Sequence, residues 1–344
     1  MSNAVTFLSA KKRGMNIDLK LIQEYLRKHF PDITYRYFMG NEMTENEWKN
    51  LGTRKLKEEF GRDADTVICM DTSLSGPLKN AKPGQKRILL ALPFDYQFKN
   101  FLEEENDSEN KEFKKGFKGF THIIAPSLFG KKMLEQYYDL TGVTVISEVC
   151  TPYGRDICNP VLQREIMEQM KYYFPKIEQK KVVAILISGE KEEEEGVFAE
   201  ADWKKILDHL GKETMVLTNS RRILNGMTGL PLEYRKSFGY MDNQFPARNL
   251  LALADALITN NGLYASYFAA KRKEVYCLES TGTNFEQYMK KYYGELYLKH
   301  ANDMMQIDFN RSYPTEKQKE FQEFHSYEPE LSPFEKIAEI VVGK

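Results

Sequence analysis

Short runs of β-branched and aliphatic residues alternate along this chain with longer stretches whose apolar positions recur every three or four residues. Residues 4–8 form the first such run and predict a strand. Residues 18–29 follow as a helix with Leu19, Ile22, Tyr25 and Leu26 on one face, stopped by Pro31. Residues 33–38 predict a strand, 51–60 a helix, and 66–70 and 87–92 two further strands. A strand at 121–125, a helix at 130–138 and a strand at 143–146 complete a first series. After a crossing segment around 152–175 the alternation restarts. It gives strands at 182–188, 214–218, 235–240, 256–259 and 274–278, with helices at 202–210, 247–255 and 264–270.

Strands that alternate with helices imply parallel sheets covered on both faces. The fold class is therefore α/β, with two doubly wound, Rossmann-like domains. The expected division is an N-terminal domain at 1–155, a linker at 156–180, a second domain at 181–312, and a helical segment at 313–344 that packs back on the first domain. No internal repeat stands out beyond this shared architecture. Ligands of such sheets bind beyond the carboxyl ends of the strands. The loops after Ser9, Met70, Leu92, Ala125, Ser188, Thr218, Thr259 and Leu278 are where function is expected.

Composition narrows the class. A chain of 344 residues exceeds one ordinary core, and 42% hydrophobic with 29% charged residues is a globular balance. A net charge of -1 gives no electrostatic footprint for nucleic acid, so no nucleic-acid partner is expected. Cys69, Cys150, Cys158 and Cys277 have no ligand-like spacing and read as reduced thiols. The run at 5–8 is too short for a secretory signal, and the longest apolar stretch, 182–187, is far too short to span a bilayer. The expected location is the cytoplasm. One segment adds a membrane option: 94–120 opens with Glu103, Glu104, Glu105 and Asp107 and closes with lysines interleaved with Phe113, Phe117 and Phe120. A helix there is either a core helix with a solvated charged side, or an acceptor-binding helix or one at the inner face of the plasma membrane.

The strongest local signal is the run Asp255-Ala256-Leu257-Ile258-Thr259-Asn260-Asn261-Gly262-Leu263, a strand that ends in small polar residues and enters a helix directly. Free N–H groups and the positive dipole end of that helix suit a phosphate or pyrophosphate. Asn260, Asn261 and Gly262 can cap the helix and admit a close ligand. This run resembles the Asp-x-Leu-Ile-Thr-Asp-Tyr-Ser-Ser segment of the CDP-glycerol:poly(glycerophosphate) glycerophosphotransferases, which prime or polymerise teichoic acids. Residues 121–127 with 133–137, and Pro152 to Asp156 with the strand after them, are similar to further segments of that family, loosely over 120–300. The resemblance implies a GT-B-like fold with two domains facing a central cleft, and donor phosphates at Thr259, Asn260, Asn261 and Gly262. This chain departs from the pattern: Asn260 stands where the family has an acid, and Gly262 and Leu263 replace the serine pair. The two family histidines, in Trp-His-Gly-x-Pro-x-Lys and Arg-x-His-Pro motifs, are absent. Pro93, Phe94, Asp95 and Tyr96, and Thr218 to Arg222, occupy those places.

Inverting transfer needs a base at the acceptor hydroxyl and positive charge or N–H groups at the leaving diphosphate. Asp95, beside Tyr96, is the first candidate base and Asp71 the second. Ser188, Gly189, Asn219, Ser220, Arg221 and Arg222 are candidates for phosphate, the arginines through bidentate pairing. Glu279, Ser280 and Thr281 are placed to hold ribose or sugar hydroxyls. Lys11, Lys12 and Arg13, after the first strand, together with Tyr96, read as an acceptor side that favours an anionic group. Neither a cofactor nor a metal is expected, since the resemblance is to enzymes of the GT-B type, which commonly work without a bound metal. Walker A, HExxH, GxSxG and GxGxxG motifs are missing. The expected activity is transfer of a glycosyl or polyol-phosphate group from a CDP- or UDP-linked donor to a glycan or lipid-linked acceptor of the cell envelope. The rival reading is a catalytically degenerate GT-B module that binds another envelope-glycan enzyme.

Overall fold

The computed structural model describes residues 4–9, 16–39, 64–70, 82–91, 119–188, 198, 201–241, 245–279, 284–309, 311 and 314–343. The chain forms two compact units, Met1–Tyr153 with Ser326–Lys344, and Gly154–His325.

In the first unit, β1 (Ala4–Ser9), β2 (Thr34–Met39), β3 (Thr66–Cys69), β4 (Lys86–Leu90), β5 (His122–Ile124) and β6 (Thr144–Ile146) make a six-stranded sheet in the order β2-β1-β3-β4-β5-β6. Every pairing in it is parallel. Helix α1 (Ile17–His29) starts where the Asn16 side chain accepts the Asp18 N–H at 2.7 Å, and it buries Leu19, Ile22 and Leu26. Helix α2 (Leu128–Tyr137) is capped in the same way by Ser127, which accepts from the Gly130 N–H. Leu8, Val67, Leu89, Ile123, Phe120 and Leu134 pack into one core. The buried carboxylate of Asp18 accepts the Tyr153 N–H at 2.8 Å, fixing the end of this unit as the chain enters α3 (Pro152–Ile157).

The second unit opens with α4 (Pro160–Tyr173), then builds its own sheet. Strands β7 (Lys181–Leu186), β8 (Thr214–Thr218), β9 (Phe238–Tyr240), β10 (Ala256–Thr259), β11 (Glu274–Leu278) and β12 (Tyr297–Leu298) lie in the order β12-β11-β10-β7-β8-β9, again all parallel. Helices α5 (Trp203–Leu210), α6 (Arg221–Met227), α7 (Leu232–Arg235), α8 (Ala247–Leu253), α9 (Gly262–Ala269), α10 (Asn284–Tyr292) and α11 (Glu316–His325) connect and cover these strands. All residues of β8, β10 and β11 are buried, which is why they read as unbroken apolar runs rather than alternating ones. Counted from β7, the strand order is the 3-2-1-4-5-6 of doubly wound dinucleotide folds, so it reverses between β7 and β10. Helix α11 is tied to the sheet by Gln318, whose carboxamide accepts the Val275 N–H and donates to the Val275 carbonyl, both at 2.9 Å.

By contacts, α4, read from sequence as linker, and α11, read as part of the returning tail, both lie in the second unit. The last helix, α12 (Pro333–Val342), belongs to the first unit, where Phe334 stacks on Tyr25 of α1 at 5.1 Å.

The two units share a local device that the sequence reading does not anticipate. Ala64-Asp65 precedes β3 and Ala254-Asp255 precedes β10, each strand lying across the reversal of its sheet. The Asp65 N–H donates to the Ala4 carbonyl at 2.9 Å, and its carboxylate takes the Ala4 N–H at 3.1 Å. Asp255 repeats this on Val182 at 2.7 and 3.0 Å. Lys82 and Lys273 pair with the two carboxylates at 2.9 and 3.2 Å. Each aspartate thus continues the ladder one residue further back along the neighbouring central strand.

Candidate functional site

The carboxyl end of β7 lies at the reversal of the second sheet, with β8 on one side and β10 on the other. Both neighbours end in the same three-residue module. On β8 it is Thr218-Asn219-Ser220: the Ser220 N–H donates to Thr218 Oγ1 at 3.1 Å, and Ser220 caps α6. On β10 it is Thr259-Asn260-Asn261: the Asn261 N–H donates to Thr259 Oγ1 at 3.1 Å, and Asn261 caps α9. Between threonine and cap, each asparagine turns its carboxamide onto β7. Asn219 accepts the Ile187 N–H at 3.1 Å and donates to the Ile187 carbonyl at 3.2 Å. Asn260 accepts the Ser188 N–H at 2.8 Å and donates to the Ser188 carbonyl at 2.5 Å. One donor and one acceptor in a plane reproduce a neighbouring peptide group, so the ladder persists two residues beyond Leu186.

The start of α9 differs from the expectation of free N–H groups awaiting a phosphate. Asn261 Oδ1 accepts the N–H groups of Leu263 and Tyr264 at 2.9 and 3.1 Å, so the cap itself satisfies them. The same bonds orient the amide: its Nδ2 must face away from those donors, and it donates to Ser188 Oγ at 3.0 Å. Gly262, the first helical residue, is buried, as is Asn260.

Charged groups sit to either side. Arg221, exposed in the first turn of α6, donates to the Tyr240 hydroxyl at the end of β9 at 3.3 Å. Arg222 is half-buried beside it. Beyond β11, the Glu279 N–H donates to the Leu298 carbonyl at 2.8 Å, and the Tyr297 hydroxyl donates to the Glu279 carboxylate. Burial, then the Glu279 carboxylate, push the Tyr297 phenol up from its ordinary range. Burial, then the charges of Glu286 and Glu279, raise the Cys277 thiol. Glu286, buried in the first turn of α10, therefore shares this acidic corner. Sequence reasoning passes over Tyr240, Tyr297 and Glu286. The signal for Glu286 was an acid in the first turn of an amphipathic helix directly after the Glu279 loop, whereas β12, two residues long, gave Tyr297 no strand pattern to be read from.

The structure thus brings together Ser188, Asn219, Ser220, Arg221, Arg222, Thr259, Asn260, Asn261, Gly262 and Glu279 along one sheet edge. Gly189, Ser280, Thr281, Lys11, Lys12, Arg13, Asp71, Asp95 and Tyr96 lie outside the described residues, as does the segment 94–120 up to Lys118. Phe120 itself is buried in the core of the first unit. His122 stands at the start of β5, away from the carboxyl edge, with Thr121 Oγ1 at 2.9 Å; burial, then Lys86, lower its pKa. Among the described residues no group of three or more His, Cys, Asp or Glu is placed to hold a metal ion, and no helix is long and apolar enough to cross a membrane.

No family profile matches the chain, and no curated protein matches it by sequence. Solved structures do match by fold. The wall teichoic acid polymerase TagF aligns at a TM-score of 0.63 and 14% identity, over 99% of this chain and 89% of that one. The UDP-GlcNAc 2-epimerase from Neisseria meningitidis, bound to UDP-GlcNAc, aligns at 0.61 and 14% over 100% of both chains. Sucrose-phosphate synthase from Thermosynechococcus elongatus aligns at 0.53 and 12%, over 99% of this chain and 97% of that one. At such identities the likeness is one of fold: two six-stranded parallel sheets in an α/β arrangement of the GT-B type.

Proposed function

We propose that this chain is a transferase that binds a CDP- or UDP-linked donor at the carboxyl edge of its second sheet and passes a glycosyl or polyol-phosphate group to a cell-envelope glycan or lipid-linked acceptor. The observation that carries the reading is the reversal between β7 and β10, where Ser188 and the start of α9 meet. Open parallel sheets bind ligands at that place. In this reading the diphosphate lies near Ser188 and Arg221, and the ribose or sugar hydroxyls near Glu279. A carboxylate that already accepts from Tyr297 retains lone pairs for a diol. The fold shared with TagF and with an epimerase bound to UDP-GlcNAc supports a nucleotide-linked donor. The acceptor side is assigned to Lys11, Lys12, Arg13 and Tyr96, and proton abstraction to Asp95 or Asp71, on sequence grounds.

A second reading, a binding module without turnover, draws on one observation. The described part of this edge is built from amides and hydroxyls bonded to one another, and it carries no histidine.

Thermal denaturation of the full chain with CDP-glycerol, CDP-ribitol, UDP-GlcNAc and CMP tests the donor site. A ligand at a hundred times its Kd adds about 2.7 kcal/mol, a shift easily seen. No stabilisation by any of them at millimolar concentration defeats the reading. Release of CMP or UDP from a bound donor in the presence of acceptor, lost in Asp95→Asn or Asp71→Asn, supports transfer. Binding with no release under any condition supports the module.

A further inference from the structure

We infer that Asn219 and Asn260 are positioning residues for Ser188, and that Ser188 offers its hydroxyl proton to an anionic oxygen of the ligand at the β7–β10 reversal. The inference rests on the donor-site reading and specifies how that site makes its contact.

The ladder of β7 ends with Ile185 opposite Thr218 and Leu186 opposite Thr259. Past that point Ile187 and Ser188 would carry unpaired backbone groups and wander. Asn219 holds both polar groups of Ile187 and Asn260 holds both of Ser188, from opposite sides. Two such clamps on consecutive residues leave the Ser188 backbone little freedom. The side chain is then fixed by a third amide. Because Asn261 Oδ1 is committed to two helix N–H groups, its Nδ2 cannot be exchanged for an oxygen, and it donates to Ser188 Oγ. A hydroxyl that accepts from one side turns its proton to another. Among the described residues nothing accepts that proton.

An acceptor is therefore called for, and its surroundings select an anion. The N-terminal end of α9 contributes positive potential, and Arg221 lies on the β8 side. A phosphate or pyrophosphate oxygen of a nucleoside-diphosphate compound has this chemistry. An amide clamp does not by itself make a ligand site, since Gln318 makes the same pair of bonds to Val275 within the core. What differs here is that the clamps end on a hydroxyl at the reversal of the sheet. An acid in place of Asn260 could not donate to the Ser188 carbonyl at neutral pH, which gives the departure from the teichoic-acid family motif a physical meaning.

The test is a double-variant cycle on the full chain, read by isothermal titration with CDP-glycerol, UDP-GlcNAc and inorganic pyrophosphate. Ser188→Ala removes the donor and is expected to weaken the probe that binds wild type by about tenfold or more, the worth of a hydrogen bond to a charged group. Asn219→Ala, at an exposed position, leaves the fold intact by near-ultraviolet dichroism and weakens binding several-fold. In the Ser188→Ala background the same substitution has no further effect, because the group it positions is gone. A purely structural asparagine would lower the unfolding midpoint and leave affinity alone. Unchanged affinity in Ser188→Ala overturns the inference, as does an Asn219→Ala loss that is equal in both backgrounds. Asn260→Ala repeats the cycle from the other side, and the Asn219 arm decides if that buried variant does not fold. Wild type that binds none of the three probes defeats the donor-site reading and this inference together, whereas tight wild-type binding with an indifferent Ser188→Ala defeats the inference alone.

Discussion

Lys271 is half-buried in the second unit, with its ammonium directed at the end of α8. It donates to the carbonyls of Leu251 at 3.1 Å, Ala252 at 2.7 Å and Ala254 at 2.7 Å, and lies 5.2 Å from the centre of the Phe268 ring. The last carbonyls of a helix have no partner within it, so one cation serves as the cap for α8. Substitution by methionine keeps the stem's volume and removes the donors. Each buried carbonyl left without a partner costs about 1–3 kcal/mol, offset by no longer desolvating a charge, so a net loss of about 2–4 kcal/mol is expected at pH 7. Burial lowers the Lys271 pKa to about 8, against about 10.4 for an unfolded chain. Below pH 8 both states carry the proton and this group adds no pH dependence. Between about pH 8 and 10 only the unfolded state holds it, so stability rises with pH by up to about 1.4 kcal/mol per unit. Urea unfolding from pH 7 to 9.5 measures both effects. In a Trp48→Phe background the signal comes from Trp203, buried in α5 of the same unit. A Lys271→Met variant within about 0.5 kcal/mol of wild type at pH 7, and with the same slope above pH 8, would refute the capping argument.

His325 ends α11 with no exposure, its Nε2 hydrogen-bonded with the Tyr288 hydroxyl at 2.9 Å and its ring 4.4 Å from that of Phe321. Burial holds its pKa well below 6.5, so the folded state stays neutral while the unfolded chain takes a proton. Stability is then lost as pH falls through the unfolded value, at a limiting slope of about 1.4 kcal/mol per unit. His325→Phe should lack that part of the acid slope, and equal slopes in the two proteins, measured by urea unfolding, would count against it. Gly239, buried in β9, has room for no side chain. A Cβ there would stand 2.6 Å from the Phe174 ring and 2.8 Å from Leu217, so Gly239→Ala should cost about 1–3 kcal/mol, with part regained by adding Phe174→Leu. A thermal midpoint unchanged by Gly239→Ala would show that Phe174 moves aside freely.

The sequence by itself determined the class of fold, because strands buried on both faces must be apolar throughout and their helices must be amphipathic. β7, β8, β10 and β11 are readable for that reason, to within a residue or two of their observed ends. It also marked the carboxyl ends of those strands as the place for Ser188, Asn219, Asn261 and Glu279, since parallel sheets bind ligands there. What a residue at such an end does was settled only by its neighbours. The two Thr-Asn-cap triplets are 41 residues apart in the chain and look like ordinary turns; they become a pair because β8 and β10 flank β7. Asn261, read as the grip on a phosphate through free N–H groups, spends its oxygen on two of them and turns its nitrogen to Ser188. The Ala-Asp pairs before β3 and β10 likewise gain meaning only when Ala4 and Val182 lie alongside. Periodicity records which faces are covered. Hydrogen-bond partners across strands depend on sheet order, and local spacing carries no record of it.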